Sequence, residues 1–179
     1  MSRIVPDIST LQQHQQQITI APQRYHPDRC PHCGYGKLWG HGRYFRYPDR
    51  GLLHRGIYNP ATIPRYYCTA CHKTCSRLPS CIAPRRWYIW EIQQNILRLL
   101  LSGVSLNAVS NRFMPSRKTI KRWSTWVVER SVRFRFWLAT FFADLERHAD
   151  CQDYWYAALH THKLSVLMTT LDNQGVVVP

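Results

Sequence analysis

Acidic residues are scarce in this chain: 10 Asp and Glu stand against 24 Lys and Arg, giving a formal net charge of +14 and a sequence pI near 9.9. So one-sided a balance in 179 residues suggests a polyanionic partner or a membrane surface, with nucleic acid the first candidate. Long apolar runs are missing as well. The most apolar stretch, residues 96–101, is interrupted by Arg98 and falls far short of the ~18 uncharged apolar residues of a transmembrane helix, so no such helix is expected, and no membrane is counted among the expected partners. The N-terminus lacks a basic segment followed by an apolar one. No secretory leader is therefore read, and the chain is expected to be cytoplasmic, where disulfides are rare. Disorder is excluded by composition, since 45% hydrophobic content is ordinary for a chain that folds into one or two small domains.

Cysteine, by contrast, is present in a pattern. Cys30-Pro-His-Cys33 and Cys68-Thr-Ala-Cys71 are two Cys-x-x-Cys turns separated by a spacer rich in Arg, Tyr and Gly. Each turn brings two thiolates to one ion, and two turns complete the tetrahedron that Zn²⁺ prefers in closed structural sites. Pro31 and Gly34 suit the first turn. Cys30, Cys33, Cys68 and Cys71 are the expected ligands, with Cys75 the first substitute, followed by His72 and Cys81. Disulfides or ordinary buried thiols are the competing reading, and Cys151 reads as a lone buried thiol. Four thiolates leave no open position for water, so the expected Zn²⁺ is structural and not hydrolytic.

Residues 37–47 alternate aromatic and basic side chains, Trp39, His41, Arg43, Tyr44, Phe45, Arg46 and Tyr47. The pattern predicts a strand that exposes arginine while ring faces pack a small core. Asp49-Arg50-Gly51 turns the chain, and residues 63–68 return as a second strand carrying the other cysteine pair. A zinc ribbon is thus predicted over residues 25–82, dependent on its metal because so little apolar surface hardly offsets the entropy of ordering. Residues 1–24, including the Gln-rich piece 11–17, read as a loose N-terminal arm.

After Pro79 and Pro84 the pattern turns helical, which places a boundary at residues 80–86. Apolar residues between Trp87 and Leu101 include matches to the i, i+3, i+4, i+7 spacing, and Ser102-Gly103 ends that helix. Ser105 can cap a short helix over 106–113, Met114-Pro115 breaks it, and Ser116 can cap a basic helix over 117–128. Its buried side would be Ile120, Trp123, Trp126 and Val127. Three such helices, with a short turn before a basic third one, describe a helix-turn-helix over residues 84–131. The start of a recognition helix faces base edges in the major groove, so Arg117, Lys118, Lys121, Arg122 and Thr125 are the expected DNA-contacting residues. Arg85, Arg86, Arg43 and Arg46 are expected to add contacts to the same DNA. Charge supports this: residues 29–86 hold eleven Lys or Arg against Asp49 alone, and residues 112–135 hold eight against Glu129 alone. A generic helical hairpin with a solvated basic face is the competing reading.

Residues 132–148, with Phe134, Trp137, Leu138, Phe141, Phe142 and Leu145, predict another amphipathic helix whose stripe serves the core or a dimer seam. Residues 164–171 have strand character and 172–175 carry a turn signal before three valines, so a closing β-hairpin is expected. The fold class is α+β: a small β zinc ribbon over 25–82, a helix-turn-helix domain over 84–131, and a C-terminal helix and β-hairpin over 132–179.

The paired Cys-x-x-Cys turns with Lys73-Thr74 just beyond, the amphipathic helix ending in Ser-Gly-Val-Ser-Leu, and the basic helix after Pro-Ser-Arg together carry a resemblance. Over about residues 28–130 the chain resembles the N-terminal region of bacterial insertion-sequence transposases, and the small zinc-ribbon plus helix-turn-helix proteins encoded by some insertion sequences. The resemblance implies binding to the terminal inverted repeats of an element, or regulation of its promoter, with a catalytic transposase subunit as a partner to be recruited. The chain departs from the small ribbon proteins in its long spacer between cysteine pairs and in about fifty residues after the helix-turn-helix.

A transposase that cuts DNA gathers three carboxylates around two metal ions. Asp144, Glu146, Asp150, Asp153 and Asp172 are available, yet a nuclease fold needs on the order of 100 residues to place them. No nucleophile motif occurs either, so no enzymatic activity is expected. The alternatives are a truncated transposase lacking its nuclease domain, a transcriptional regulator unrelated to transposition, and an RNA-binding zinc ribbon whose interleaved aromatic and basic residues stack unpaired bases. A homodimer is expected by analogy with other helix-turn-helix proteins, which commonly read paired half-sites.

Overall fold

The computed structural model describes residues 3–48, 58–84, 88–146, 148 and 150–178. The fold is α+β: among the described residues there are seven α-helices, a three-stranded sheet and a two-stranded one. In chain order the elements are β1 (Ile4–Val5), α1 (Leu11–Ile20), β2 (Leu38–Arg46), β3 (Ala61–Cys68), β4 (Thr74–Cys75), β5 (Leu78–Pro79), α2 (Trp90–Leu101), α3 (Leu106–Arg112), α4 (Arg117–Glu129), α5 (Ser131–Phe141), α6 (Cys151–Thr161) and α7 (Leu164–Asn173).

Residues 3–24 are not a loose arm. Thr10 caps α1 by accepting from the Gln13 amide at 3.1 Å, while the Gln13 side chain accepts from the Thr10 amide at 3.2 Å, a reciprocal capping box. Within α1 only His14 and Ile18, one turn apart, are buried. The helix therefore shows no apolar stripe, which is why its composition reads as a loose arm. His14 fixes it to the sheet: Nε2 lies 2.9 Å from the Thr62 carbonyl, which can only accept, so Nδ1 accepts from the Tyr25 hydroxyl at 2.6 Å. Burial lowers the His14 pKa, in keeping with that neutral tautomer.

β2, β3 and β4 form an antiparallel sheet with β3 central. A bulge lies between Gly40 and Arg43, and Gly42 takes the positive φ of 72° that it requires. The bulge moves the following residues to the other face. Trp39 opposite Tyr67, Tyr44 opposite Ile63 and Arg46 opposite Ala61 share one face of the sheet, whereas Arg43 opposite Pro64 and Phe45 opposite Thr62 lie on the other. This corrects the expected alternation of buried rings and exposed arginines. Trp39 is 56% exposed and Phe45 71% exposed, and the sheet is instead packed by Ile63, Tyr66 and Cys68 of the central strand.

α2 to α7 form a helical bundle in which α2 packs against α3, α4, α6 and α7. The helix signals hold at each end: Gly103 has φ 87° past α2, Ser105 Oγ accepts from the Ala108 amide at 3.2 Å, and Ser116 Oγ accepts from the Thr119 amide at 3.3 Å. The core holds Ile96, Val109, Ile120, Trp123, Phe134, Leu138, Trp155 and Leu167. The expected C-terminal hairpin is not formed. Leu164, Leu167, Met168 and Leu171 make a buried i, i+3, i+4, i+7 stripe on α7, so burial overrides the strand propensity of Val166, Thr169 and Thr170. Gly175, at φ 71°, then closes the helix, its amide bonded to the Asp172 carbonyl at 3.0 Å, where a hairpin turn was expected. The helix expected over 132–148 ends at Phe141, and α6 follows it, capped by Asp150.

The sheet and the bundle meet through the N-terminus. β1 pairs in parallel with β5, and the Asp172 carboxylate on α7 accepts from the amides of Arg3 at 2.6 Å and Ile4 at 2.9 Å. Ile82 and Ala83, in the stretch read as a boundary, are buried, and the Trp90 indole donates to the Ser80 carbonyl at 3.0 Å. No helix among the described residues is long and apolar enough to cross a membrane.

Candidate metal centre and nucleic-acid interface

The two Cys-x-x-Cys turns are built alike. In the first, the Gly34 amide donates to the Cys30 carbonyl at 2.9 Å and the Cys30 amide to the Tyr35 carbonyl at 2.7 Å; in the second, His72 donates to Cys68 at 3.0 Å and Cys68 to Lys73 at 3.0 Å. The residue after the second cysteine is left-handed in both, Gly34 at φ 78° and His72 at φ 58°. Glycine adopts that conformation without cost. His72 does so with its Nδ1 held by the Tyr67 hydroxyl at 2.6 Å.

β3 delivers Cys68 beside the first turn, since Leu38 at the start of β2 is paired with it. The sulfurs of Cys30, Cys33, Cys68 and Cys71 all lie within 4.8 Å of one another, with Cys30–Cys71 and Cys33–Cys68 at 3.6 Å. Tetrahedral Zn–S bonds near 2.3 Å would separate sulfurs by roughly 3.8 Å, so the four can hold one metal ion of that size and preference. Among the described residues this is the one group of His, Cys, Asp or Glu atoms gathered closely enough to share an ion. Backbone amides of Cys71 and Ala70 hold the Cys68 thiol down to about 7, while desolvation and the neighbouring sulfurs hold Cys33 and Cys71 above the usual thiol value. The proposed substitutes stand outside the group. Neither the Cys75 nor the Cys81 sulfur is among the four that gather. His72 serves the turn, and Cys151 donates to the Ser131 hydroxyl at 2.9 Å.

α3 and α4 pack against each other across residues 113–116, where Pro115 is buried. Ile120, Trp123 and Val127 face the core, and Arg117, Lys118, Lys121, Arg122 and Thr125 are all exposed. Lys118, Lys121, Arg122 and Thr125 follow the i, i+3, i+4, i+7 spacing, so they share one polar face of α4. Arg112, at the end of α3, is exposed beside this turn.

The remaining predicted contacts separate. Arg43 is exposed on the bulged strand, while Arg46 turns inward and donates from its guanidinium to the Ala83 carbonyl at 2.6 Å. Arg85 and Arg86 lie outside the described residues. The structure also draws in two residues the sequence reading passed over. Arg3 and Arg65 line a cleft of about 500 Å³ together with Arg46 and Tyr44. Arg65 was visible in the alternation of β3, but Arg3 reaches the cleft through a chain-distant strand pairing that no local signal marks.

The carboxylates weighed for catalysis have separate posts. Asp144 pairs with His162 at 3.0 Å, Asp150 caps α6, and Asp172 is buried against β1, while Glu146 and Asp153 are exposed.

No curated protein and no solved structure matches this chain. A family model does match, over residues 30–123, which takes in both cysteine pairs, the sheet, α2, α3 and the first half of α4. Since that is more than half of its length, the chain belongs to the family defined by the domain of unknown function DUF6431.

Proposed function

We propose that the protein is a sequence-specific, double-stranded DNA-binding protein of mobile-element type, in which α3, the turn at 113–116 and α4 act as a helix-turn-helix supported by a zinc ribbon. The observation that carries this reading is the face of α4: five exposed groups, Arg117, Lys118, Lys121, Arg122 and Thr125, opposite the buried Ile120, Trp123 and Val127. Such a helix can enter the major groove by its N-terminal half, where arginine forks and lysine ammonium groups can donate to guanine edges and threonine can contact base or phosphate. Zn²⁺ held by Cys30, Cys33, Cys68 and Cys71 would tie the two turns together and supply no reaction, because all four positions are taken by sulfur. The transposase resemblance supports element ends or the element's promoter as the target, a catalytic transposase subunit as a recruited partner, and a second copy of the chain reading the paired half-site.

Affinity should come chiefly from phosphate contacts and fall steeply with salt. The test is fluorescence anisotropy of zinc-loaded protein on duplex DNA flanking its own gene, against a scrambled duplex, across a salt series. A preference for the native duplex that vanishes in Lys121→Ala and Arg122→Ala supports the reading. Equal binding to both duplexes that disappears with salt removes the claim of sequence specificity.

The exposed ring of Trp39 favours a second reading, RNA or single-strand binding by one face of the sheet. Lys37 Nζ stands 5.7 Å from the Trp39 ring centroid, an arrangement suited to a stacked base with its phosphate. Competition of single-stranded RNA against duplex DNA separates the two.

A further inference from the structure

The cleft beside the cysteine cluster has a chemistry of its own. Its floor is one face of the sheet, where Tyr44, Arg46 and Arg65 lie together because the bulge at 40–43 sets Tyr44 opposite Ile63 and Arg46 opposite Ala61. Its walls come from three chain-distant places: Arg3 before β1, Pro31 and His32 of the first cysteine turn, and Thr74, Cys75 and Ser76 of β4 and its exit. Three arginines and three hydroxyl-bearing residues, Tyr44, Thr74 and Ser76, thus border about 500 Å³ of open space, and no described residue lining it is acidic. Asp172, in the adjoining cleft, already accepts from the amides of Arg3 and Ile4.

Two of the three guanidiniums already have a partner within the fold. Arg65 Cζ stands 5.0 Å from the centroid of the Tyr44 ring, and Arg46 is anchored to the Ala83 carbonyl at 2.6 Å. A guanidinium whose plane is already set loses less entropy on accepting an oxyanion, and its fork matches the paired oxygens of a phosphate. Pre-set guanidiniums with hydroxyls and no lining carboxylate are the chemistry that suits an anion, and the chain's overall charge of +14 favours polyanions.

We infer that this cleft binds a backbone phosphodiester of nucleic acid, a second anchor built on elements other than α4. The inference rests on the DNA-binding reading above and adds a division of labour to it: α4 reads sequence, and the Arg3, Arg46 and Arg65 cleft grips backbone without regard to sequence. Arg65 is the residue to change, since Arg46 also supports the fold.

The experiment uses the zinc-loaded full chain, with bound zinc measured for every variant, on the native and scrambled duplexes across a salt series. Arg65→Ala should weaken binding to both duplexes by the same factor, roughly five- to tenfold, and make the slope of log K against log salt shallower by about 1. Its preference for the native duplex should remain, the opposite of Lys121→Ala. Arg65→Lys should fall between Arg65→Ala and the parent. In parallel, the amides of residues 74–76 are followed by NMR during additions of duplex DNA and, separately, inorganic phosphate. Shifts with duplex at concentrations where phosphate gives none assign the site to nucleic acid; shifts with phosphate alone overturn the proposal in favour of a small-anion site. Unchanged affinity and slope in Arg65→Ala, beside a parent that still prefers the native duplex, overturn the cleft and leave α4 intact. Loss of zinc from Arg65→Ala with DNA affinity retained also overturns it, since the arginines would then serve to neutralise the thiolates. A parent that binds neither duplex, with residues 74–76 unmoved by DNA, removes both readings at once.

Discussion

The sheet of β2–β4 and the bundle of α2–α7 draw their order from different sources. In the bundle, Phe134 lies between two indoles, 4.7 Å from the Trp126 ring centroid and 6.2 Å from that of Trp155, and every helix contributes large side chains to one core. The sheet is packed in two small groups, one with Leu38 and Tyr66 and one with Ala61 and Ile63, and its cysteine turns are held by backbone hydrogen bonds and four neighbouring sulfurs. Area burial suffices to organise the bundle; a structure with so little apolar surface calls for an additional constraint. What the sheet gains is a surface of exposed arginine and aromatic side chains that a larger apolar core would have consumed.

The strongest way to break that comparison is to take away the Zn²⁺ proposed for the four sulfurs. Structural zinc sites carry apparent binding free energies of roughly 10–16 kcal/mol at neutral pH, and that energy is folding energy where the site does not form without the ion. Chelation, or Cys68→Ser, should therefore collapse the amide dispersion of β2, β3 and β4 while most of the helical circular dichroism remains. Intact sheet resonances after verified metal removal would mean that the small cores suffice and that the comparison is mistaken.

How much of this was legible in the sequence follows the same division. Cysteine spacing is a local signal and pointed to Cys30, Cys33, Cys68 and Cys71, which the structure brings together; Ser105, Gly103 and Ser116 likewise marked helix ends that are present. Signals failed where order comes from elsewhere in the chain. α1 has a polar exterior and depends on the Thr10–Gln13 box and on His14 reaching β3, so its glutamines suggested a loose arm. α7 mixes β-branched residues with its leucines, and only the bundle shows which period matters. The bulge at 40–43 was hidden because Gly40-His-Gly42 fits an alternating pattern as well as it fits a bulge, and it decides which side chains border the arginine cleft.

Within the bundle, Phe134→Ala sharpens the comparison. Removing a fully buried ring between two indoles should cost about 3–5 kcal/mol, seen as a fall in the midpoint of thermal or urea unfolding followed by helical signal. Zinc stoichiometry and affinity should stay near the parent's, because none of the four cysteines belongs to that core. A loss of zinc comparable to that in Cys68→Ser would show that the sheet leans on the bundle and is not held chiefly by its own sulfurs.

Asp172→Ala acts at the joint, and its effect is expected to be somewhat smaller. The carboxylate sits 4% exposed on α7 and takes the amides of both Arg3 and Ile4, so its loss leaves two backbone donors in a partly or fully buried setting, a cost of about 3 kcal/mol. Position matters more than size here. β1 pairs with β5 at the exit of the sheet, and Ile4 belongs to the bundle core, so this short strand is a route by which disorder in one region can reach the other. In the parent, chelation should lower the midpoint of the helical transition by a few degrees as β5 and then β1 loosen. With Asp172→Ala that sensitivity should shrink, since β1 is already detached from α7 and the bundle no longer senses the metal. Unfolding curves of parent and variant, each with and without chelator, measure the coupling directly. If the variant keeps the full chelator response, the regions communicate by another path, of which the Trp90 indole on the Ser80 carbonyl is the next to cut.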